Sequence, residues 1–78
     1  MKKPYPRNSD IGEAILRVLA EKPLIHPADL YGEVVAKLEE MGFYAGLVTE
    51  KRVWRVYEGM VKRREIYDIL DVVVDGKR

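Results

Sequence analysis

Between Thr49 and Arg64 the chain reads TEKRVWRVYEGMVKRR, and this stretch limits what the protein can fold into more than any other. Val53, Val56, Tyr57, Met60 and Val61 recur at the spacing of one helical face, while Lys51, Arg52, Arg55, Glu58, Lys62 and Arg63 fall outside it. Thr49 suits the N-cap and Glu50 follows it at the positive end of the dipole. A helix of this kind needs an apolar surface to lie on, and 78 residues must supply it from a single domain. The absence of cysteine removes disulfides and thiolate metal sites as substitutes for packing. A core that consumes most of such a chain leaves little room for an active-site cavity, so an enzyme is not expected.

The remaining elements follow from local signals. A basic arm broken by Pro4 and Pro6 occupies residues 1–8 and is expected to be flexible, with the domain itself running over 9–78. Asp10 and Glu13 have capping-box spacing, and Ile11, Ile15, Val18 and Leu19, widened by Ala14 and Leu16, predict a first helix over about 10–22. Lys22-Pro23 stops it. LIH, at 24–26 between two prolines, is too short for a helix and is expected as a strand. Pro27 and Asp29 open a second helix over about 27–41, with Leu30, Val34, Leu38 and Met41 on its buried edge and Gly42 ending it. The third helix covers about 49–64. Beyond it EIYDILDVVVDGKR is rich in β-branched residues, predicting a strand over 65–74 and a turn at Asp75-Gly76. The fold class expected is therefore α+β.

Overall charge is nearly neutral, at +1, but it is unevenly distributed. Residues 1–48 sum to −1, residues 49–64 to +4 and residues 65–78 to −2. The whole positive excess sits on the third helix, where an electrostatic partner would be met.

The order helix, short strand, helix, turn, basic helix, strand, turn resembles a winged helix-turn-helix domain of the archaeal and bacterial transcription-regulator type. The likeness spans residues 9 to 76 and rests on VTEKRVWRVYEGMVKRREIYDILDV, which looks like a recognition helix running into a first wing strand. It implies that the third helix enters the major groove of double-stranded DNA and that LIH pairs at the base of the wing strand. Two departures stand out: the connection from Gly42 to Val48 is long for a minimal helix-turn-helix, and the returning wing strand is missing or reduced to two residues.

Under this reading Lys51, Arg52 and Arg55, in the first two turns, are the candidates for base edges. Lys62 and Arg63 would meet phosphate or solvent, and Thr49 lies at the helix head. The bland alternative is a solvated face on a core helix. DVVVD would be an unpaired edge strand, which pairing with a second copy would cover, so a homodimer through the C-terminal strand is expected. The rival function is a protein-interaction module in a larger complex, with Trp54, Tyr44, Phe43 and the valine strand as its docking patch.

Other features carry less. His26 stands alone, so no zinc site of the usual kind can be assembled, and no cofactor is expected. Glu39, Glu40, Asp68, Asp71 and Asp75 lack a neighbouring base or nucleophile. The five tyrosines are dispersed along the chain, too far apart in sequence to suggest a stacking platform. Lys2, Lys3 and Arg7 of the arm could enter a minor groove, although fraying is the simpler expectation. No apolar run reaches the ~20 residues of a membrane span, and MKKPYPRNSD lacks a signal peptide's apolar stretch, so a cytoplasmic protein is expected. The lack of Gln, the single Asn, Ser and Thr, and 35% charged residues fit a heat-adapted protein, and the resemblance implies an archaeal or bacterial source.

Overall fold

The structure is a computed structural model that describes residues 3–64 and residue 66. It contains three helices: α1 (Asn8–Glu21), α2 (Pro27–Glu40) and α3 (Glu50–Lys62). Among the described residues there is no strand, so the expected α+β class is corrected to an all-helical bundle. Residues 22–25 form a turn instead, leading into the α2 cap at His26: the Ile25 N–H donates to the Lys22 carbonyl at 3.0 Å and Leu24 is 95% exposed. Two aliphatic residues between prolines do not by themselves make a strand, because backbone groups in a strand need a neighbouring extended segment. The partner expected for LIH, residues 65–74, lies outside the described residues except for Ile66.

Each helix begins on an identifiable cap. The capping carboxylate of α1 is Asp10, which accepts the Arg7 N–H at 2.8 Å, so the helix starts earlier than Asp10 itself. Glu13 is left to pair with Arg17 one turn on, at 2.6 Å. In α2 the cap is His26, whose Nδ1 accepts the Ala28 N–H at 3.1 Å ahead of Pro27 at the first helical position. In α3 Thr49 Oγ1 accepts the Arg52 N–H at 3.2 Å.

The end of α2 shows why Gly42 stands where it does. Its φ of 95° is a left-handed conformation that side-chain-bearing residues avoid. That turn lets the Phe43 N–H reach the Leu38 carbonyl at 3.0 Å and the Gly42 N–H reach Glu39 at 3.1 Å, the paired pattern of a Schellman motif. The following segment is well packed. Ala45 and Val48 are buried, the Ala45 N–H donates to Glu39 Oε2 at 3.1 Å, and the Tyr31 hydroxyl donates to the Val48 carbonyl at 2.8 Å.

One core joins all three helices. Ile11, Ala14, Ile15 and Val18 of α1 meet Leu30, Val34 and Leu38 of α2, and Val53, Val56, Tyr57 and Met60 of α3 close over them. Full burial of an aliphatic side chain stabilises by about 1.5–3 kcal/mol, so these residues carry most of the fold. Gly12 brings α1 and α3 close together: a methyl group there would sit 3.1 Å from Met60 Sδ. Leu16, by contrast, is 46% exposed and does not join the core. Trp54 is half-buried, edge-on to Tyr57 with ring centroids 5.5 Å apart.

Lys37 lies on the buried side of α2, and its ammonium is held by Glu21 at 2.8 and 3.0 Å and by Glu40 at 3.4 Å. The hydrogen bond from Lys37 lowers the pKa of the Glu21 carboxyl, and the same bond raises that of Lys37. Among the described residues no helix is long and apolar enough to cross a membrane.

Candidate nucleic-acid interface

Because α3 turns Val53, Val56, Tyr57 and Met60 inward, its other positions divide into two surfaces. One flank faces α1. There the Arg52 guanidinium donates from Nε to Asn8 Oδ1 at 3.1 Å and from Nη2 to the Pro6 carbonyl at 3.0 Å. Arg52 thus ties the head of α3 to the head of α1 and to the arm. Next along this flank come Gly59 and Arg63, with the Arg63 guanidinium lying over the glycine.

The outward surface carries Lys51, Arg55, Glu58 and Lys62, all exposed. Lys62 approaches Glu58 at 3.6 Å across one helical turn, a solvent-screened pair. The Lys51 and Arg55 side chains make no hydrogen bond or ion pair with any other described residue. They are four positions apart, and like charges at that spacing destabilise a helix by about 0.2–0.5 kcal/mol. Stability alone gives no reason for the arrangement.

The six residues singled out from sequence therefore take different places. Lys51 and Arg55 share the open face, and Lys62 borders it with a partner of its own. Arg52 is turned toward the arm, Arg63 lies back along the α1 flank, and the Thr49 hydroxyl is the helix cap. The backbone N–H groups at the head of α3 add positive potential near Lys51.

Residues 3–7 bear on this surface too. Lys3 pairs with Glu39 at 3.4 Å, the Tyr44 N–H donates to the Pro4 carbonyl at 2.9 Å, Pro6 is buried, and Arg52 holds the Pro6 carbonyl. Arg7, at the head of α1, is exposed and its side chain is in no ion pair among the described residues. Its place could not be read from the sequence, because contacts of Lys3, Pro4 and Pro6 with distant residues bring the arm to this end of the bundle.

Between α1 and α3 runs an open cleft of about 720 Å³, with Ser9, Gly12 and Leu16 on one wall and Arg55, Gly59 and Met60 on the other. Its rim carboxylates are engaged along their own helices, Glu13 with Arg17 and Glu58 with Lys62. Among the described residues no three His, Cys, Asp or Glu side chains come together in a way that could hold a metal ion. Comparison of the chain with known protein families, with characterised proteins and with solved structures gave no match.

Proposed function

We propose that this protein binds double-stranded DNA through the outward face of α3, as a cytoplasmic transcriptional regulator of helix-turn-helix type. The observation that supports this reading is the pair Lys51 and Arg55, exposed on one helix face and with unpaired side chains, whereas most of the other cations among the described residues are engaged. Lys51 neutralises backbone phosphate as a point charge, whereas Arg55 can bond two acceptors of guanine at once. Lys62 extends the phosphate track, and Arg7 supplies a further cation at the head of α1. Arg52 serves the face indirectly, by fixing the angle at which α3 is presented.

Binding of this kind releases counterions, so affinity falls steeply with salt. Fluorescence anisotropy of a labelled random-sequence duplex, titrated at about 50 and 200 mM salt, tests it. Micromolar or tighter binding that disappears at the higher salt is the expected result. Replacing Lys51 and Arg55 together by Ala should flatten the slope of log affinity against log salt by about two, one for each phosphate no longer neutralised. An absence of binding at the lower salt, or an unchanged slope in the double variant, overturns the proposal.

A homodimer is part of the same reading, since two copies would set two α3 helices on successive grooves. Residues 65–74, the expected dimer strand, lie outside the described residues except for Ile66. A monomeric mass by light scattering at tens of micromolar overturns it. The rival reading, a protein-docking module, is expected to use Trp54, Tyr44, Phe43 and the valine strand; a further feature that favours it is the cleft between α1 and α3, walled in part by exposed Leu16 and by Arg55. It predicts no salt-sensitive DNA binding.

A further inference from the structure

Tyr5 and Tyr44 are 39 positions apart in sequence, yet their ring centroids lie 5.6 Å apart in an edge-to-face pair with 70° between the planes. Both remain open to solvent, Tyr5 at 64% and Tyr44 at 44%. Leu47, three residues beyond Tyr44, is 66% exposed.

Neither ring is loosely held. The backbone N–H of Tyr44 donates to the carbonyl of Pro4, the residue before Tyr5, and the Pro6 carbonyl on its other side is held by Arg52. Tyr44 also lies on the backbone of Gly46: a methyl group at 46 would come within 2.5 Å of its hydroxyl oxygen and 2.6 Å of Cζ. Only glycine allows the ring that position. Two exposed aromatic rings held in place from several directions offer contact area that costs little conformational entropy to use.

The charges around the pair indicate what it would receive. In sequence Lys3 and Arg7 flank Tyr5 two residues to either side, and Lys51, in the first turn of α3, lies four positions beyond Leu47. Two carboxylates lie nearby: Glu39 is engaged by Lys3 and by the Ala45 N–H, and Asp10 accepts the Arg7 N–H. Arg7 and Lys51 have no ion-pair partner among the described residues. Aromatic faces with cations beside them suit unpaired nucleobases, whose faces stack while their phosphates meet the charges.

We infer that the Tyr5–Tyr44 pair is a stacking site for unpaired bases of a single-stranded nucleic acid, distinct in its aromatic residues from the duplex-binding face of α3. Arg7 and Lys51 engage the phosphates on either side of the stacked base. The inference rests on the nucleic-acid reading and shares Lys51 and Arg7 with it, but the two tyrosines belong to the single-strand site alone, so removing the rings lets the two fail separately.

The test titrates labelled oligothymidylate and oligouridylate, about 15 nucleotides long so as to span a single-strand site, into the intact protein, with a random duplex in parallel. The variants are Tyr5→Leu and the double variant Tyr5→Leu/Tyr44→Leu. Leucine keeps an apolar side chain but removes the stacking face. The expected result is salt-sensitive binding of the single strand, weakened on the order of ten-fold or more in the double variant, with duplex affinity unchanged. Tyr5→Leu alone, at the more exposed ring, should show part of this loss, and it carries the test if thermal melting shows the double variant unfolded. Equal affinity for the two oligonucleotides supports a site that reads base faces, and a preference for one supports the site while identifying the strand it takes. No single-strand binding overturns the inference whether or not duplex is bound, leaving the patch to a protein partner. Single-strand binding unaffected by loss of the tyrosines also overturns it.

Discussion

Arg52 and Arg55 stand three residues apart on the same helix and have opposite fates. Arg52, on the flank facing α1, spends its guanidinium on Asn8 and on the Pro6 carbonyl and is half-buried. Arg55, on the outward face, is exposed and shares the surface with Lys51. The flank is a joint holding three segments of chain together, whereas the face contributes nothing visible to the fold. The contrast teaches that net positive charge on a helix does not measure what the helix can offer a partner. Side chains already committed within the molecule must first be set aside.

The comparison breaks most readily at Arg52. Arg52→Ala should destabilise the protein by about 1–3 kcal/mol, the range for losing hydrogen bonds to a charged group, and lower the midpoint of urea unfolding without changing its slope. It should also weaken duplex binding, because the angle of α3 is no longer set. If Arg52→Ala leaves the midpoint where it was, the flank is no joint.

A smaller effect is expected at the outward face. Lys51→Ala with Arg55→Ala should change unfolding free energy by no more than about 0.5 kcal/mol, the usual range for exposed sites, while removing most duplex affinity at low salt. A large loss of stability in this variant would mean that the face is structural after all.

The smallest effect concerns Lys37, a third committed cation, held by Glu21 and Glu40 on the buried side of α2. Hydrogen bonding to Lys37 holds the Glu21 pKa below its ordinary 4.5, so this contribution to stability is present above 4.5 and is lost as pH falls through the lowered folded value. Lys37 itself is raised above 10.5, and its share persists below that pH and fades only as pH rises through the folded value. Acid unfolding followed by circular dichroism should therefore show a stability loss below about pH 4.5 that Glu21→Gln reduces. An identical acid profile in that variant would remove the pair from the account.

Much of the helical framework is legible because its signals are local. Thr49, Pro27 and Gly42 mark helix ends through backbone chemistry confined to one turn, and the spacing of Val53, Val56, Tyr57 and Met60 identifies a buried face without reference to the rest of the chain. LIH misleads for the complementary reason. Its composition suits a strand, but a strand exists only where a second segment completes its hydrogen bonds, and among the described residues LIH has a turn to Lys22 and an exposed Leu24 instead. Of the candidate interface, the excess of positive charge on residues 49–64 can be read in advance. Which cations are free cannot.

The sequence by itself determined that three amphipathic helices would have to share one core, since periodicity and caps act over a few residues and 78 residues without cysteine leave packing as the main source of stability. Only the tertiary structure decided that Arg52 would be spent on Asn8 and Pro6, 44 and 46 positions away, that Lys37 would be enclosed by Glu21, and that Tyr5 would meet Tyr44. Those outcomes depend on which side chains arrive opposite one another when the helices pack, and contacts between such distant positions leave no periodic trace in the chain.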